Sequence, residues 1–176
     1  EIDGLVMVVG GPHENTIRQF FKSGEYSGKP IEFAVQTEQL GLAHAFRCAR
    51  ELVHGRWLGM VGDDIYGPRG MKELVQHEVG VLSTKSDHPE NFGVLVKDDD
   101  GYLVKSVEKP TEFVSDLIWC GAMVMDDSFF DVSVEPSARG EYETPDVWVK
   151  MMKEGKKIKV VEADFWLPIN DKGQLE

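Results

Sequence analysis

The architecture can be inferred outward from one short run, Leu5-Val6-Met7-Val8-Val9, which stops at two glycines. An uninterrupted apolar run rich in β-branched residues is typical of a strand buried on both faces, as in parallel sheets. Helices and strands then alternate, and the pattern predicts a helix, a strand, a helix and a strand over residues 14–22, 31–35, 43–53 and 57–61. This alternation predicts an α/β doubly wound, mostly parallel sheet.

The second half of the chain has a different pattern, because its predicted strands follow one another without a helix between them. Asp98-Asp99-Asp100-Gly101 separates two apolar runs and predicts a β-hairpin inserted beside the sheet. Gly121 lies inside a predicted strand, where glycine marks a bulge or the close approach of a ligand. No linker or repeat interrupts the chain, so one domain is expected over residues 1–176. The other predicted elements are helices over 71–79 and 145–154 and strands over 118–125, 158–162 and 165–167.

The composition narrows the classes of function. The chain has 176 residues, and its 19 Lys and Arg against 31 Asp and Glu give a net charge of −12. No cluster of basic residues suits a nucleic acid, and no apolar run reaches the roughly 20 residues that cross a bilayer. Cys48 and Cys120 lack metal-ligand spacing and are expected to be reduced thiols in a cytoplasmic protein. An acidic protein that binds a nucleotide needs a divalent cation to offset the like charges, which indicates Mg²⁺.

Two groups of residues follow predicted strands at the edge where open α/β sheets bind ligands. Asp63-Asp64 could hold Mg²⁺ through a carboxylate, and a solvated turn is the alternative for such a pair. Gln36 offers a donor and an acceptor to the edge of a base, and Gly41 would let a base approach the backbone. An ordinary strand-to-helix connection is the alternative for Gln36 and Gly41.

Two further segments carry charged side chains. Glu108-Lys109 ends the hairpin, where a Lys suits a sugar phosphate and a Glu can accept hydrogen bonds from sugar hydroxyls. The alternative is a surface ion pair before the turn at Pro110. The segment Glu141-Tyr142-Glu143-Thr144 is typical of a helix start, with acids near the positive end of the helix dipole. The five histidines show no metal-ligand spacing, and the fingerprints of hydrolases, P-loop ATPases and dinucleotide oxidoreductases are absent from the sequence.

The order of these motifs resembles that of the sugar nucleotidylyltransferases, most closely the glucose-1-phosphate thymidylyltransferase and uridylyltransferase group. The resemblance covers essentially the whole chain. It implies transfer of a nucleotidyl group from a nucleoside triphosphate, dTTP or UTP, to a sugar 1-phosphate, with glucose 1-phosphate as the default acceptor and pyrophosphate as the second product. The motifs that carry it are Val35-Gln36, Gly41-Leu-Ala-His-Ala-Phe46, Gly62-Asp63, Phe92-Gly93-Val94, Glu108-Lys109-Pro110, Gly121 and Gly140-Glu-Tyr-Glu-Thr144 with Asp146.

The resemblance also implies roles for individual residues. Gln36 and Gly41 would contact the pyrimidine base. Asp63 would bind the Mg²⁺ on which catalysis depends, and Lys109 would bind the phosphate of the sugar. The residues implied on the sugar side are Gly93, Glu108, Gly121 and, as a contact or as a brace of the pocket, Glu143.

One motif of the family is missing. The Gly-x-Gly-x-Arg loop, followed by Pro and Lys-Pro, occurs nowhere in the 176 residues. In the family its backbone amides, its Arg and its Lys bind the triphosphate and stabilise the charge of the leaving pyrophosphate. The chain is therefore expected to be an N-terminally truncated domain that is inactive on its own. Its exposed strand edges would favour self-association into a homo-oligomer.

A second departure concerns the other metal ligand. The family places an Asp after a Trp-containing strand near its end, whereas Trp166-Leu167 is followed here by Pro168, which cannot bind a metal. The segment Ile169-Asn170-Asp171-Lys172 resembles the Val-Asn-Asn-Arg segment of the N-acetylglucosamine-1-phosphate uridylyltransferases, whose first Asn is a metal ligand. Asn170 is therefore expected to share the Mg²⁺ with Asp63, and Asp171 is the alternative.

Two other interpretations stay open from the sequence. One is a non-catalytic homologue that binds a nucleotide sugar and regulates a partner, which Pro168 and the missing loop favour. The presence of Asp63 and of Glu108-Lys109 disfavours it. The other is a different α/β enzyme whose acidic turns are coincidental.

Overall fold

A computed structural model describes residues 2–169 of the chain. The chain forms two compact units, the first made of Glu1–Gly55 and Ser133–Thr144 and the second of Arg56–Val132 and Pro145–Glu176. A compact unit is not by itself an independently folding domain, so one domain over residues 1–176 stays a prediction. Among the described helices, none has the length and the apolar character needed to cross a membrane.

The first unit is a three-stranded sheet with two short helices. β1 and β3 are parallel, and their register runs from Leu5 opposite Ile31 to Val9 opposite Val35. β2 and β3 form an antiparallel hairpin. The strand–helix–strand order that begins at the apolar run of β1 is therefore confirmed as a parallel βαβ unit. The elements are β1 (Leu5–Val9), α1 (Glu14–Phe20), β2 (Glu25–Tyr26), β3 (Lys29–Val35) and α2 (Leu42–Cys48).

Residues 133–144 return to the first unit. The Tyr142 amide donates to the Leu40 carbonyl at 2.8 Å, and the Ala43 amide donates to the Tyr142 carbonyl at 3.1 Å. These bonds hold the returning segment against the connection between β3 and α2, in which Gln36 and Gly41 lie.

The second unit is built on a six-stranded sheet. Its strands run in the order β10-β6-β9-β7-β8, β4 also pairs with β9, and β5 and β11 form a separate two-stranded ribbon. The elements that follow the first unit along the chain are β4 (Trp57–Met60), β5 (Asp64–Tyr66), α3 (Pro68–Leu74), β6 (Gly80–Lys85), β7 (Gly93–Lys97), β8 (Leu103–Glu108), β9 (Leu117–Met125), α4 (Ser128–Asp131), α5 (Thr144–Lys153), β10 (Lys159–Glu162) and β11 (Trp166–Pro168).

β9 is the most deeply buried strand of the second unit. All nine of its residues are buried, and β4, β6 and β7 pair with it. Full burial of one aliphatic side chain stabilises a fold by about 1.5–3 kcal/mol, so this strand contributes a large share of the apolar stabilisation. The core cluster that includes part of β9 consists of Leu74, Leu82, Cys120, Ala122, Val124 and Val161.

The predicted α/β class is confirmed, but the predicted share of parallel pairing is too high. Among the described strands, β1 with β3 and β6 with β10 are parallel, whereas β9 is antiparallel to β4, β6 and β7. A strand buried on both faces has the same apolar composition in either kind of sheet, so composition did not distinguish them. The hairpin predicted around Asp98–Gly101 is confirmed as β7 and β8. β2, β5 and β6 are not predicted from the sequence, and the helix predicted over residues 71–79 ends as α3 at Leu74.

Candidate functional site

Asp63, the predicted metal ligand, lies in the turn between β4 and β5. The residue is exposed, and its carbonyl oxygen accepts a hydrogen bond of 3.1 Å from the Ile169 amide. This bond ties the turn to the residue that follows β11 and precedes Asn170 in the sequence. Asn170 and Asp171 lie outside the described residues, so the pairing of either with Asp63 stays a prediction.

Asp64, the neighbouring carboxylate, has a different environment. Its Oδ2 accepts hydrogen bonds from Trp166 Nε1 at 2.8 Å and from the Tyr66 hydroxyl at 3.3 Å. Burial raises the pKa of Asp64 above its ordinary value, and the hydrogen bond from Trp166 opposes that rise. The two adjacent carboxylates therefore have different roles. Asp63 is exposed to solvent, whereas Asp64 holds β11 against β5 through its hydrogen bond from Trp166.

We expect Asp64→Ala to lower the free energy of unfolding by about 1–3 kcal/mol, because it leaves the partly buried Trp166 indole N–H without its acceptor. Asp64→Asn keeps a side-chain oxygen that can accept this bond, so its loss should be below about 1 kcal/mol. Urea unfolding of both variants measures the difference. Equal losses for Ala and Asn would show that the hydrogen bond does not matter.

Gly121 lies in a bulge of β9, as its position inside a predicted strand indicates. The pairing of β9 with β6 shifts between Val81 and Ser83, and Gly121 has a positive φ of 83°. A Cβ there would lie 2.5 Å from Val61 Cγ2, 2.8 Å from Tyr66 Oη and 3.1 Å from Asp64 Oδ2. This packing is by itself sufficient to require glycine, and the contact with a sugar stays a prediction.

Gly93, Glu108 and Lys109 are brought together by the hairpin. Gly93 and Glu108 are opposite each other in β7 and β8, and a Cβ on Gly93 would lie 3.0 Å from Glu108 Oε2. The Lys109 amide donates to the Phe92 carbonyl at 2.9 Å, which keeps Lys109 beside this pair. Lys109 is exposed and has a φ of 41°, a conformation that is uncommon for residues other than glycine. Such outliers cluster at functional sites, which supports the predicted role of Lys109.

Phe92 and Trp166 connect this group to Asp64. Their rings meet edge to face, with centroids 5.8 Å apart and planes at 77°, while the Trp166 indole donates to Asp64. An aromatic contact of this geometry contributes about 0.5–1.5 kcal/mol beyond its buried area. The second unit therefore contains, in addition to these connecting residues, the predicted site residues Asp63, Gly93, Glu108, Lys109 and Gly121.

The residues predicted to contact the base lie in the first unit. Gln36 is buried, and its Nε2 donates to the Gly41 carbonyl at 3.1 Å and lies 3.1 Å from His44 Nδ1. Gly41 has a φ of 93°, and a Cβ there would lie 2.9 Å from Glu141 Cβ and from the Tyr142 carbonyl oxygen. The structure thus brings Gln36 and Gly41 into contact, and it gives Gly41 a packing role that involves no ligand.

Glu143 braces its own loop in the first unit. It is buried, and its Oε1 accepts hydrogen bonds from Ser137 Oγ at 2.7 Å and from Arg139 Nη2 at 2.8 Å. Bracing is the role that this geometry supports, because the same carboxylate oxygen already serves two donors. A contact between Glu143 and a sugar stays a prediction.

Within residues 2–169, no group of three or more His, Cys, Asp or Glu side chains is arranged to hold a metal ion. Mg²⁺ does not need such a group, since it is usually bound by one or two carboxylates together with waters and substrate phosphates. The exposed carboxylate of Asp63 fits this donor set. Asp64 fits it less well, because one of its oxygens already accepts two hydrogen bonds.

A groove of about 510 Å³ in the second unit is a poor candidate for the substrate site. It is lined by the carboxylates of Asp87, Glu90, Glu112 and Asp116 and by Phe113, which is exposed. None of the predicted site residues lines it, and four carboxylates would repel a phosphorylated ligand. This groove is therefore not proposed as the substrate site.

Two residues of these groups, His44 and Trp166, receive no role from the sequence, and Asp64 receives only the metal-binding role that it shares with Asp63. His44 follows Gly41 by three positions at the start of α2, and this helical spacing could have indicated its contact with the preceding connection. Asp64 and Trp166 are 102 positions apart. No local pattern predicts their hydrogen bond, which depends on the pairing of β5 with β11.

The fold is that of a nucleotidyltransferase domain. The chain belongs to the nucleotidyl transferase family, whose model matches residues 1–175.

Curated relatives agree with this assignment. The chain is 32% identical to the bifunctional protein GlmU of Methanococcus vannielii, over 98% of the chain and 42% of that protein. It is 31% identical to the UTP--glucose-1-phosphate uridylyltransferase AglF of Haloferax volcanii, over 92% of the chain and 70% of that protein. The chain thus spans about two fifths of the length of the GlmU relative and more than two thirds of AglF.

Solved structures show the same fold. A protein from Bacillus anthracis assigned as a glucose-1-phosphate thymidylyltransferase, solved in complex with a sucrose, has a TM-score of 0.82 and 26% identity over 99% of this chain and 74% of that chain. The inositol-1-phosphate CTP transferase from T. maritima has a TM-score of 0.78 at 17% identity, over 99% of this chain and 73% of that chain. The second likeness concerns the fold alone.

Proposed function

We propose that the full-length protein is a sugar-1-phosphate nucleotidylyltransferase that uses UTP or dTTP and glucose 1-phosphate. Membership of the family supports nucleotidyl transfer, and the similarity to AglF supports a uridine nucleotide and glucose 1-phosphate. The observation that carries the proposal is the pairing of Gly93 with Glu108, with Lys109 held beside them, in the unit that also presents Asp63.

In the proposed reaction a phosphate oxygen of the sugar 1-phosphate attacks the α-phosphorus of the nucleotide in line. The bond from this phosphorus to the bridging oxygen breaks, and pyrophosphate leaves with the electron pair. Lys109 would hold the sugar phosphate as a point charge, and Glu108 would accept hydrogen bonds from sugar hydroxyls. Mg²⁺, when bound by Asp63 and Asn170, would neutralise charge on the phosphates. The residues of the chain thus act by positioning and by charge.

The test is formation of a nucleotide sugar and pyrophosphate by the full-length protein with Mg²⁺, glucose 1-phosphate and either UTP or dTTP. We expect turnover with at least one of the two nucleotides. Residues 1–176 contain no Gly-x-Gly-x-Arg motif, and we propose that they do not turn over alone. Binding of a nucleotide sugar by the full-length protein without any turnover would support the alternative, a non-catalytic regulatory homologue.

We expect Lys109→Ala to raise the KM for the sugar 1-phosphate by roughly 10- to 150-fold, because a hydrogen bond to a charged group contributes about 1.5–3 kcal/mol. The KM for the nucleotide should change little. Steady-state kinetics with each substrate varied in turn measures both constants.

Lys105→Ala is the matched control for this substitution, since Lys105 is an exposed lysine in β8, the strand that ends just before Lys109. It should leave both KM values within about twofold. An equal increase for the two variants would mean a general charge effect and would contradict a specific contact of Lys109.

We also propose that the protein is cytoplasmic and that it forms a homo-oligomer. Cys48 and Cys120 are free thiols, and burial raises the pKa of the Cys120 thiol to about 12. Thiols that are buried and protonated react slowly and suit a reducing compartment. A measurement of molar mass in solution decides between a monomer and a homo-oligomer.

A further inference from the structure

The amide nitrogen of Gln36 faces two acceptors in the first unit. Gln36 is 7% exposed, and its backbone amide donates to the Val9 carbonyl at 2.8 Å, which fixes the residue at the end of β3. Its Nε2 donates to the Gly41 carbonyl at 3.1 Å and lies 3.1 Å from His44 Nδ1. A carbonyl oxygen can only accept a hydrogen bond. The side-chain amide is therefore oriented with its nitrogen, and not its oxygen, toward Gly41.

This orientation determines the tautomer of the His44 ring as well. Since the Gln36 amide nitrogen carries only hydrogens, His44 Nδ1 must accept, and the proton of the neutral ring lies on Nε2. The His44 ring also stacks on the Tyr142 ring, with centroids 6.1 Å apart and planes at 29°. The Tyr142 backbone is held in turn by its bonds to Leu40 and Ala43. The acceptor that His44 presents to Gln36 thus has a fixed place.

Both hydrogens of the Gln36 amide are used by these two acceptors. A primary amide has two N–H donors and one carbonyl acceptor, so Oε1 is the only polar atom of the Gln36 side chain left for a ligand. In this state Gln36 can accept a hydrogen bond from a base and cannot donate one.

We propose that His44 is a positioning residue for base selectivity, because with the Gly41 carbonyl it holds Gln36 in this acceptor state. The inference rests on the proposed function, in which Gln36 contacts the base. Uracil and thymine carry an N–H at ring position 3, whereas position 3 of cytosine is an unprotonated acceptor. An acceptor facing an acceptor leaves both without a hydrogen bond, which is costly in a desolvated site. Held by Gly41 and His44, Gln36 therefore selects bases with an N–H at this position.

The test compares two substitutions of His44 in the full-length protein. His44→Leu places a methyl group where Nδ1 lies, and His44→Asn places an oxygen acceptor at the same number of bonds from Cα. We expect His44→Leu to lower the ratio of kcat/KM for UTP to that for CTP by about tenfold, the worth of one hydrogen bond, because the Gly41 carbonyl alone then holds the amide nitrogen and one of the two bonds that oppose its turning toward cytosine is lost. His44→Asn should restore the ratio to within about threefold of the original.

Two further measurements distinguish an effect on base selectivity from a general structural defect. Wild-type protein should use 3-methyluridine triphosphate at least about tenfold less well than UTP, since the methyl group replaces the N–H; equal use of the two nucleotides would overturn the inference without any mutant that has to fold. The KM for the sugar 1-phosphate should stay unchanged in both His44 variants. A general structural defect would instead alter both substrates, and this result too would overturn it.

The Gln36→Leu variant distinguishes a failure of this inference from a failure of the proposed base-binding role of Gln36. If Gln36→Leu leaves the UTP-to-CTP ratio unchanged, Gln36 does not contact the base, and the proposed base-binding role is wrong. If Gln36→Leu abolishes the selectivity while His44→Leu preserves it, the base-binding role stands and the positioning role of His44 is wrong. If both substitutions lower the ratio and His44→Asn restores it, the inference holds.

Discussion

Asp63→Ala in the full-length protein should reduce kcat/KM by roughly a thousandfold, equal to about 4 kcal/mol of transition-state stabilisation. Asp63 is exposed in the turn after β4, so the loss should come from the metal and not from the fold. Substitutions at exposed positions usually change stability by less than about 0.5 kcal/mol. Nucleotide-sugar formation is measured over a range of Mg²⁺ concentrations, together with the urea midpoint of each variant.

Asp99→Ala is the control for the loss of one negative charge, because Asp99 is an exposed carboxylate in the hairpin turn of the same unit. It should retain full activity. Asn170→Ala provides the second arm and should raise the Mg²⁺ concentration for half-maximal activity, as expected for a shared ligand. If Asp63→Ala kept activity within tenfold, with an unchanged Mg²⁺ requirement, the assignment of the metal to this turn would be wrong.

Gly121→Ala should cost roughly 2–6 kcal/mol of unfolding free energy, the largest stability effect expected in this chain. A non-glycine residue at a φ of 83° is strained by about 1–3 kcal/mol. The added Cβ would also lie 2.5 Å from Val61 Cγ2 and 2.8 Å from Tyr66 Oη, and overpacking of this kind costs about 1–3 kcal/mol. Most domains are stable by only about 5–15 kcal/mol. Urea denaturation should show a lower midpoint at an unchanged slope.

Gly155→Ala isolates the backbone part of this cost. Gly155 lies in the same unit, has a φ of 91°, and has no atom within 4 Å of the position where a Cβ would be built. We expect its loss to be about 1–3 kcal/mol, from backbone strain alone. The excess loss of Gly121→Ala over Gly155→Ala then measures the crowding at Val61 and Tyr66. Equal losses would mean that the bulge relaxes freely.

Features that depend on neighbouring residues were predictable from the sequence. The turn at Asp98–Gly101 predicts the hairpin that pairs Gly93 with Glu108, and a glycine inside a strand predicts the bulge at Gly121. Gln36 and Gly41 are five positions apart and are in contact. In each case a turn or a local backbone requirement determines the result within a few residues.

Features that depend on distant strand pairing were not predictable. The antiparallel direction of β9 relative to β4 and β6 is not encoded in the apolar runs themselves, since burial on both faces erases the alternation that would distinguish the two kinds of sheet. The hydrogen bond between Trp166 and Asp64 exists only because β11 pairs with β5. Because this pairing is not visible in the sequence, both Asp63 and Asp64 were predicted only as metal ligands, and the structural role of Asp64 was missed.

The return of residues 133–144 to the first unit has a consequence for synthesis. β1, β2 and β3 are translated before the second unit, yet Leu40 and Ala43 gain their backbone partner only when Tyr142 has been made. Closing so long a loop is slow in comparison with forming a hairpin. The first unit is thus expected to be completed late, and the sheet that carries Gln36 becomes fully ordered only after residues 133–144 have been synthesised.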